Sequence, residues 1–269
     1  MAKLKFIDSH AHLSDEAYDQ DFEEVINRLY ENNIIKVNLI GVDIPSLNVS
    51  LSMQEQHPNL FDVTVGLHPQ DIAYYTQEDI DIIFDMFKDP RIICIGEIGL
   101  DYHWHPEEKE RQKEMFIKQI ELANEVQKPV MIHCREAIQD TYDILKEHRP
   151  QYGCVMHAFS GSVEMAREFV KLGCMISLGG PVTFKNAKTP KEVAIDIPLD
   201  YLLTETDSPY LTPTPYRGKR NESSYVKYVA TEIAKLRGIS VEALTEAIIQ
   251  NYQRIFKTIK YNKEMNHEN

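Results

Sequence analysis

The stretch from residue 91 to 134, "RIICIGEIGLDYHWHPEEKERQKEMFIKQIELANEVQKPVMIHC", decides how this chain folds. It opens with a β-rich apolar run, "RIICIGEIG" at 91–99, and closes with another, "PVMIHC" at 129–134. Between them, "EEKERQKEMFIKQIELANEVQ" at 107–127 carries Met115, Ile117, Ile120, Leu122 and Val126 as an apolar stripe near helical period. Strand, helix, strand is the unit of a parallel sheet, because parallel neighbours need a crossover connection. Strands that are apolar almost throughout fit a sheet covered on both faces. Both runs carry groups able to bind metal near their ends, Glu97 and His133.

The unit recurs in both directions. Toward the N-terminus lie "KFID" at 5–8, "IIKVNLIG" at 34–41 and "FDVTVGLHP" at 61–69. Toward the C-terminus lie "GCVMHAF" at 153–159, "GCMISLGG" at 173–180 and "DYLLTETD" at 200–207, which makes eight strands. Further helical patterns cover about 137–148, 163–172 and 225–237. The fold class expected is α/β, a single (β/α)8 TIM barrel, although an open doubly wound sheet has the same alternation. Residues 1–260 read as one domain and 261–269, "YNKEMNHEN", as a polar tail.

Composition narrows the functions. The chain has 269 residues, 43% of them hydrophobic, and a net charge of -13. That charge argues against a general nucleic-acid coat or a membrane-surface binder. An acidic chain can still hold an anion where metals or a local basic loop supply positive charge. No apolar run approaches the roughly 20 residues that span a bilayer. The opening "MAKLKFIDSH" turns polar at once, unlike a signal peptide, so the expected location is cytoplasmic, with no membrane partner. Cys94, Cys134, Cys154 and Cys174 form no CxxC pair and read as small buried residues.

Polar groups fall where a barrel places chemistry. In "KFIDSHAHLS" at 5–14, Asp8, His10 and His12 alternate, so an extended strand turns all three to one face. Barrel active sites lie at the C-terminal ends of the strands. There fall His10 and His12 on the first strand, Glu97 on the fourth, His133 on the fifth, His157 on the sixth and Asp207 on the eighth. Four imidazoles and two carboxylates suit zinc, manganese, cobalt or nickel better than calcium. An open single-metal site usually takes three protein ligands, so six fit two ions that share a carboxylate. Glu97, between the two histidine groups, is the natural bridge. Such a pair, about 3.5–4 Å apart, clamps a phosphoryl or carbonyl centre. Asp8 reads as a carboxylate that steadies an imidazole. His68, and His103 with Tyr102, are candidate substrate contacts, as are Arg217, Lys219 and Arg220, which follow strand eight where barrels often grip phosphate. The Gly179–Gly180 pair could present amides to an anion.

These residues resemble the TatD family of metal-dependent hydrolases over almost the whole chain. The motifs are "FIDSHAHL" at 6–13, "VGLHP" at 65–69, "IGEIGLDYH" at 95–103, "PVMIHCREA" at 129–137, "MHAFSGS" at 156–162, "LLTETDSPYL" at 202–211 and "RGKRNE" at 217–222. Asn251, Arg254 and Phe256 complete the pattern. The resemblance implies a (β/α)8 barrel with one or two divalent ions, whether zinc, manganese, magnesium, cobalt or nickel. It implies phosphodiester hydrolysis of DNA, with an exonuclease on single strands the expected form; a monomer is favoured. One ion would be held by His10, His12, Glu97 and Asp207, the other by Glu97, His133 and His157. Glu97 and Asp207 would be the catalytic carboxylates, Asp207 as general base. Ser223 and Ser224 stand where the family usually has proline. The fifth strand carries no lysine that could be carbamylated into a bridge, which turns the reading away from C–N hydrolases. Two alternatives remain: ester hydrolysis on D-aminoacyl-tRNA, and metal-dependent binding without turnover.

Overall fold

All eight strands form, and each pairs in parallel with its neighbour in chain order, in a computed structural model that describes residues 3–257. They are β1 Phe6–Ala11, β2 Ile34–Gly41, β3 Phe61–Val65, β4 Ile92–Asp101, β5 Val130–Arg135, β6 Cys154–Met156, β7 Cys174–Leu178 and β8 Leu202–Thr204. The ring closes between its first and last strands, where Ala11 bridges Ser208 and the Asp207 amide donates to the His10 carbonyl at 3.0 Å. This is the (β/α)8 barrel, and the open-sheet alternative falls away. Val63, Val65, Ile95, Ile98, Val130 and Ile132 are buried, as parallel strands roofed by helices must be. Cys94, Cys154 and Cys174 are buried free thiols, while Cys134 is half-buried.

The helices outside are α1 Phe22–Glu31, α2 Ile44–Gln56, α3 Gln77–Met86, α4 Lys109–Glu125, α5 Ile138–Glu147, α6 Val163–Lys171, α7 Lys188–Asp196, α8 Val226–Arg237 and α9 Val241–Phe256. Hydroxyl and carboxylate caps start several of them: Asp43 on α2, Thr76 on α3, Ser162 on α6 and Ser240 on α9. No described helix is long and apolar enough to cross a membrane.

The buried face of α4 differs from the stripe expected. Phe116, Ile120 and Ala123 are buried together with Gln112 and Gln119, whereas Met115, Ile117, Leu122 and Val126 are only partly buried. The reason is hydrogen bonding. Gln119 accepts the Leu67 amide at 2.8 Å and donates to the Leu67 carbonyl at 3.2 Å. Gln112 does the same for Asp101, at 2.8 and 2.9 Å. Both amide side chains satisfy backbone where strands run out into loops.

Strand ends also move. β1 runs past Asp8 to Ala11, β4 past Gly99 to Asp101, and β3 stops at Val65. Beyond β3, the amides of Leu67 and His68 bond to Gln119 and to the Tyr75 hydroxyl instead of a ladder partner. His68, His157 and Asp207 therefore ride on the loops past β3, β6 and β8. The expected tail at 261–269 lies outside the described residues.

Candidate metal centre

Glu97 sits at the middle of the barrel mouth because β4 is irregular there. The pairing of β4 with β5 shifts register between Ile95 and Ile98, a bulge that re-aims the intervening side chain. Gly99 then runs so close to β5 that a Cβ would lie 2.1 Å from the His133 carbonyl oxygen, so only glycine fits. The two oxygens of Glu97 face different groups. Oε2 lies 3.3 Å from His10 Nε2 and 3.7 Å from His12 Nε2. Oε1 lies 2.7 Å from His133 Nδ1, 2.5 Å from His157 Nε2 and 3.3 Å from His68 Nε2. Asp207 Oδ1 completes the first group, 3.4 Å from His10 Nε2 and 3.6 Å from His12 Nε2.

The donor spacing tests whether a metal fits. Tetrahedral ligands at about 2.1 Å from an ion stand about 3.4 Å apart. His10 Nε2 and His12 Nε2 are 3.1 Å apart, and their contacts with Glu97 and Asp207 bracket that spacing. Around Oε1 the atoms are drawn in to hydrogen-bond distances, yet His68, Glu97 and His133 still converge. His157 Nδ1 and Glu205 Oε2 are buried without a hydrogen bond. They lie on the side of the His157 ring turned from Glu97, where His10, His157 and Glu205 form a separate group able to hold a cation.

Other groups fix these side chains. Asp101 Oδ2 takes His133 Nε2 at 2.9 Å, while its Oδ1 accepts the amides of His103 and Trp104 at 3.0 and 3.1 Å. Asp8 accepts the Thr206 amide at 2.8 Å, the Thr206 hydroxyl at 2.5 Å and the His10 amide at 3.3 Å, tying β1 to the approach to Asp207. Burial pushes the Asp8 carboxyl up to about 7 against those donors. Glu205 Oε1 accepts the Ala158 amide at 2.6 Å and lies 3.7 Å from His157 Nδ1.

The field across the cluster favours cations. Burial would raise the Glu97 carboxyl, but His157, His68 and His10 hold it well below the usual carboxylate range. Asp207 is lowered too, burial being outweighed chiefly by His12. His133 and His157 are raised against burial, the first by Asp101 and Glu97, the second by Glu97 and Glu205. Burial and His157 instead lower His10.

A cavity of about 960 Å³ opens over these groups, lined by His12, His68, Glu97, His133, His157 and Asp207 among others. The remaining sequence candidates stand elsewhere. His103 is exposed, paired with Glu136 Oε1 at 2.7 Å, and outside the cavity wall. The Tyr102 hydroxyl donates to Asp140 at 2.7 Å. Arg217 lies over the Phe184 ring at 4.2 Å and Lys219 over Tyr216 at 5.9 Å, both off the wall. Arg220 is not a free cation: it grips Asp21 at 2.6 Å and donates to the Ala17 carbonyl at 2.7 Å. Glu222 binds Arg28 at 2.8 Å and accepts the Ser224 hydroxyl, so hydrogen bonds hold the turn where the family usually has proline. Gly180 abuts the Leu211 carbonyl, which accounts for it by packing.

The sequence alone marks neither Asp101 nor Glu205 for a role at the site. Glu205 and Asp207 alternate as His10 and His12 do, a signal that could have marked the first carboxylate. For Asp101, at the end of β4, only the folded structure shows its reach to His133. His68, read as a substrate contact, is brought among the metal-capable groups.

Fold and site together define the class, a metal-dependent hydrolase barrel. The chain belongs to the TatD-related DNase family, whose model matches residues 7–257. It is 46% identical over 251 residues to the uncharacterized metal-dependent hydrolase YabD of Bacillus subtilis, covering 93% of this chain and 98% of that protein. It is 35% identical to the uncharacterized metal-dependent hydrolase YcfH of Escherichia coli, over 93% of this chain and 95% of the other. The crystal structure of the TatD homologue YJJV from Escherichia coli superposes with a TM-score of 0.87 at 26% identity, covering 94% and 98% of the two chains.

Proposed function

We propose that the protein hydrolyses phosphodiester bonds of single-stranded DNA from a strand end, with two divalent ions at the barrel mouth. The observation that carries this reading is Glu97, whose two oxygens address two separate histidine groups. His10, His12, Glu97 and Asp207 would hold one ion, and Glu97, His133 and His157 the other, with His68 at hand beside Glu97 Oε1. Bound there, the ions would supply positive charge against the phosphoryl oxygens and lower the pKa of water.

The protein's own groups do the rest. Asp207 accepts a proton from the attacking water as the water oxygen bonds to phosphorus. The P–O ester bond breaks, and the leaving sugar oxygen takes up a proton, giving a phosphate monoester and an alcohol. Asp101 keeps the His133 ring oriented, and Asp8 keeps the Thr206 approach to Asp207 in place. A cavity of about 960 Å³ has the size of a small-molecule site, roughly 300–1,000 Å³, and accepts a few nucleotides rather than a duplex. His103, Arg217 and Lys219, outside the wall, would meet a strand that continues past the mouth.

Side-by-side assays on a single-stranded oligonucleotide and a D-aminoacyl-tRNA test the reading. Release of nucleotides, with the tRNA ester untouched, is expected. Ester cleavage without nucleotide release would replace phosphodiester with acyl chemistry at the same residues. Binding of both without turnover of either would make the protein a metal-dependent binder.

A further inference from the structure

An indole left half in water on the wall of a reaction cavity calls for an explanation. Trp104 is the chain's only tryptophan, is 53% exposed, and lines the cavity just past β4. Its main chain is held, because its amide donates to Asp101, the carboxylate that also holds His133. The guanidinium of Arg135 sits 5.4 Å from the indole centre. Arg135 follows His133 by two residues on β5, so strand alternation aims both at the mouth. It lines the cavity and, among the described residues, has no carboxylate partner. In an acidic protein an unpaired arginine beside an exposed ring is not the usual solvated charge. Across the barrel, past β8, Tyr210 is 54% exposed on the same wall, its ring 6.3 Å from that of His12.

We propose that Trp104 and Arg135 form a nucleotide subsite for single-stranded nucleic acid, the indole stacking a base and the guanidinium pairing with a phosphate next to the scissile one. The subsite rests on the phosphodiesterase reading above. Base–aromatic stacking needs an unpaired base and tolerates any base, since each has a π face. Arginine adds a planar fork matched to phosphate oxygens. Such a site favours a polymer with bases over a bare phosphodiester chain of equal charge.

The lone tryptophan makes the test direct. The full protein, as purified with its metal, is titrated with a hydrolysis-resistant phosphorothioate hexathymidylate and with an abasic hexamer of the same charge. Quenching of tryptophan fluorescence by the thymidylate, with the abasic hexamer at least tenfold weaker, supports the subsite. In hydrolysis assays on the ordinary diesters, wild type should prefer the thymidylate through KM. Trp104→Leu should bring the two KM values together, a loss of roughly 5–100-fold in discrimination, and Trp104→Phe should restore most of it. Equal quenching by both hexamers, or discrimination surviving in Trp104→Leu, overturns the subsite. Hydrolysis of the thymidylate without quenching overturns it while the phosphodiesterase reading stands. Base-dependent quenching without any hydrolysis removes the phosphodiesterase reading, and with it a subsite beside a scissile phosphate, and leaves Trp104 on a nucleotide-binding wall.

Discussion

Asp207 is the residue whose chemistry is most exposed to test. It is carried past β8 on a loop, with its amide on the His10 carbonyl and its carboxylate against both His10 and His12. Asp207→Asn keeps an oxygen able to bind a metal and removes the proposed base, so kcat should fall by roughly 10²–10⁴-fold. Circular dichroism should show the fold intact, because the side chain belongs to the mouth and not the core. A rate near wild type would show that another group takes the proton. The imidazoles make a second prediction. His12, His133 and His157 all hold protons more tightly than free histidine, because Asp207, Asp101, Glu97 and Glu205 surround them against the opposing effect of burial. An ion must displace those protons, so metal affinity should rise as pH climbs from about 6 to 8, through and above the usual imidazole range. Calorimetry in buffers of different ionisation enthalpy should show net proton release on binding. Affinity independent of pH, with no proton release, would mean that these rings are not the ligands.

Elements decide which residues reach the mouth, and here sequence and structure part in instructive places. Buried parallel strands are legible as short apolar runs, so all eight appear in the sequence. The carriers of His68, His157 and Asp207 are less so, because loop conformation depends on partners such as Gln119 and Asp8, distant in sequence. The inner face of α4 departs from its apolar stripe for a related reason. Apolar periodicity marks oily residues, whereas Gln112 and Gln119 are buried to satisfy backbone at the ends of β4 and β3. Gln119→Leu keeps the volume roughly but strands the Leu67 amide and carbonyl. It should cost about 1–3 kcal/mol in urea unfolding for the stranded groups, and raise KM if His68 shifts with the loop. Unchanged stability would show that the loop finds other partners.

At the scale of the whole molecule, a chain of net charge -13 would have to hold the proposed polyanionic substrate with local means. Reading the basic loop after strand eight from sequence could not show which cations are already spent, and Arg220 is one of them. Arg135, Arg217 and Lys219 remain, and three phosphate contacts give a salt slope of about -2 on a single strand. A slope several times steeper would reveal a basic surface that this barrel mouth does not have. The central claim is that hydrolysis needs ions held around Glu97. The direct measurement is to strip the protein with a chelator, confirm the loss by elemental analysis, and titrate a divalent ion back while following oligonucleotide hydrolysis. Activity should vanish on stripping and return as up to two ions bind per chain. Full hydrolysis by protein shown to be free of metal would contradict the account.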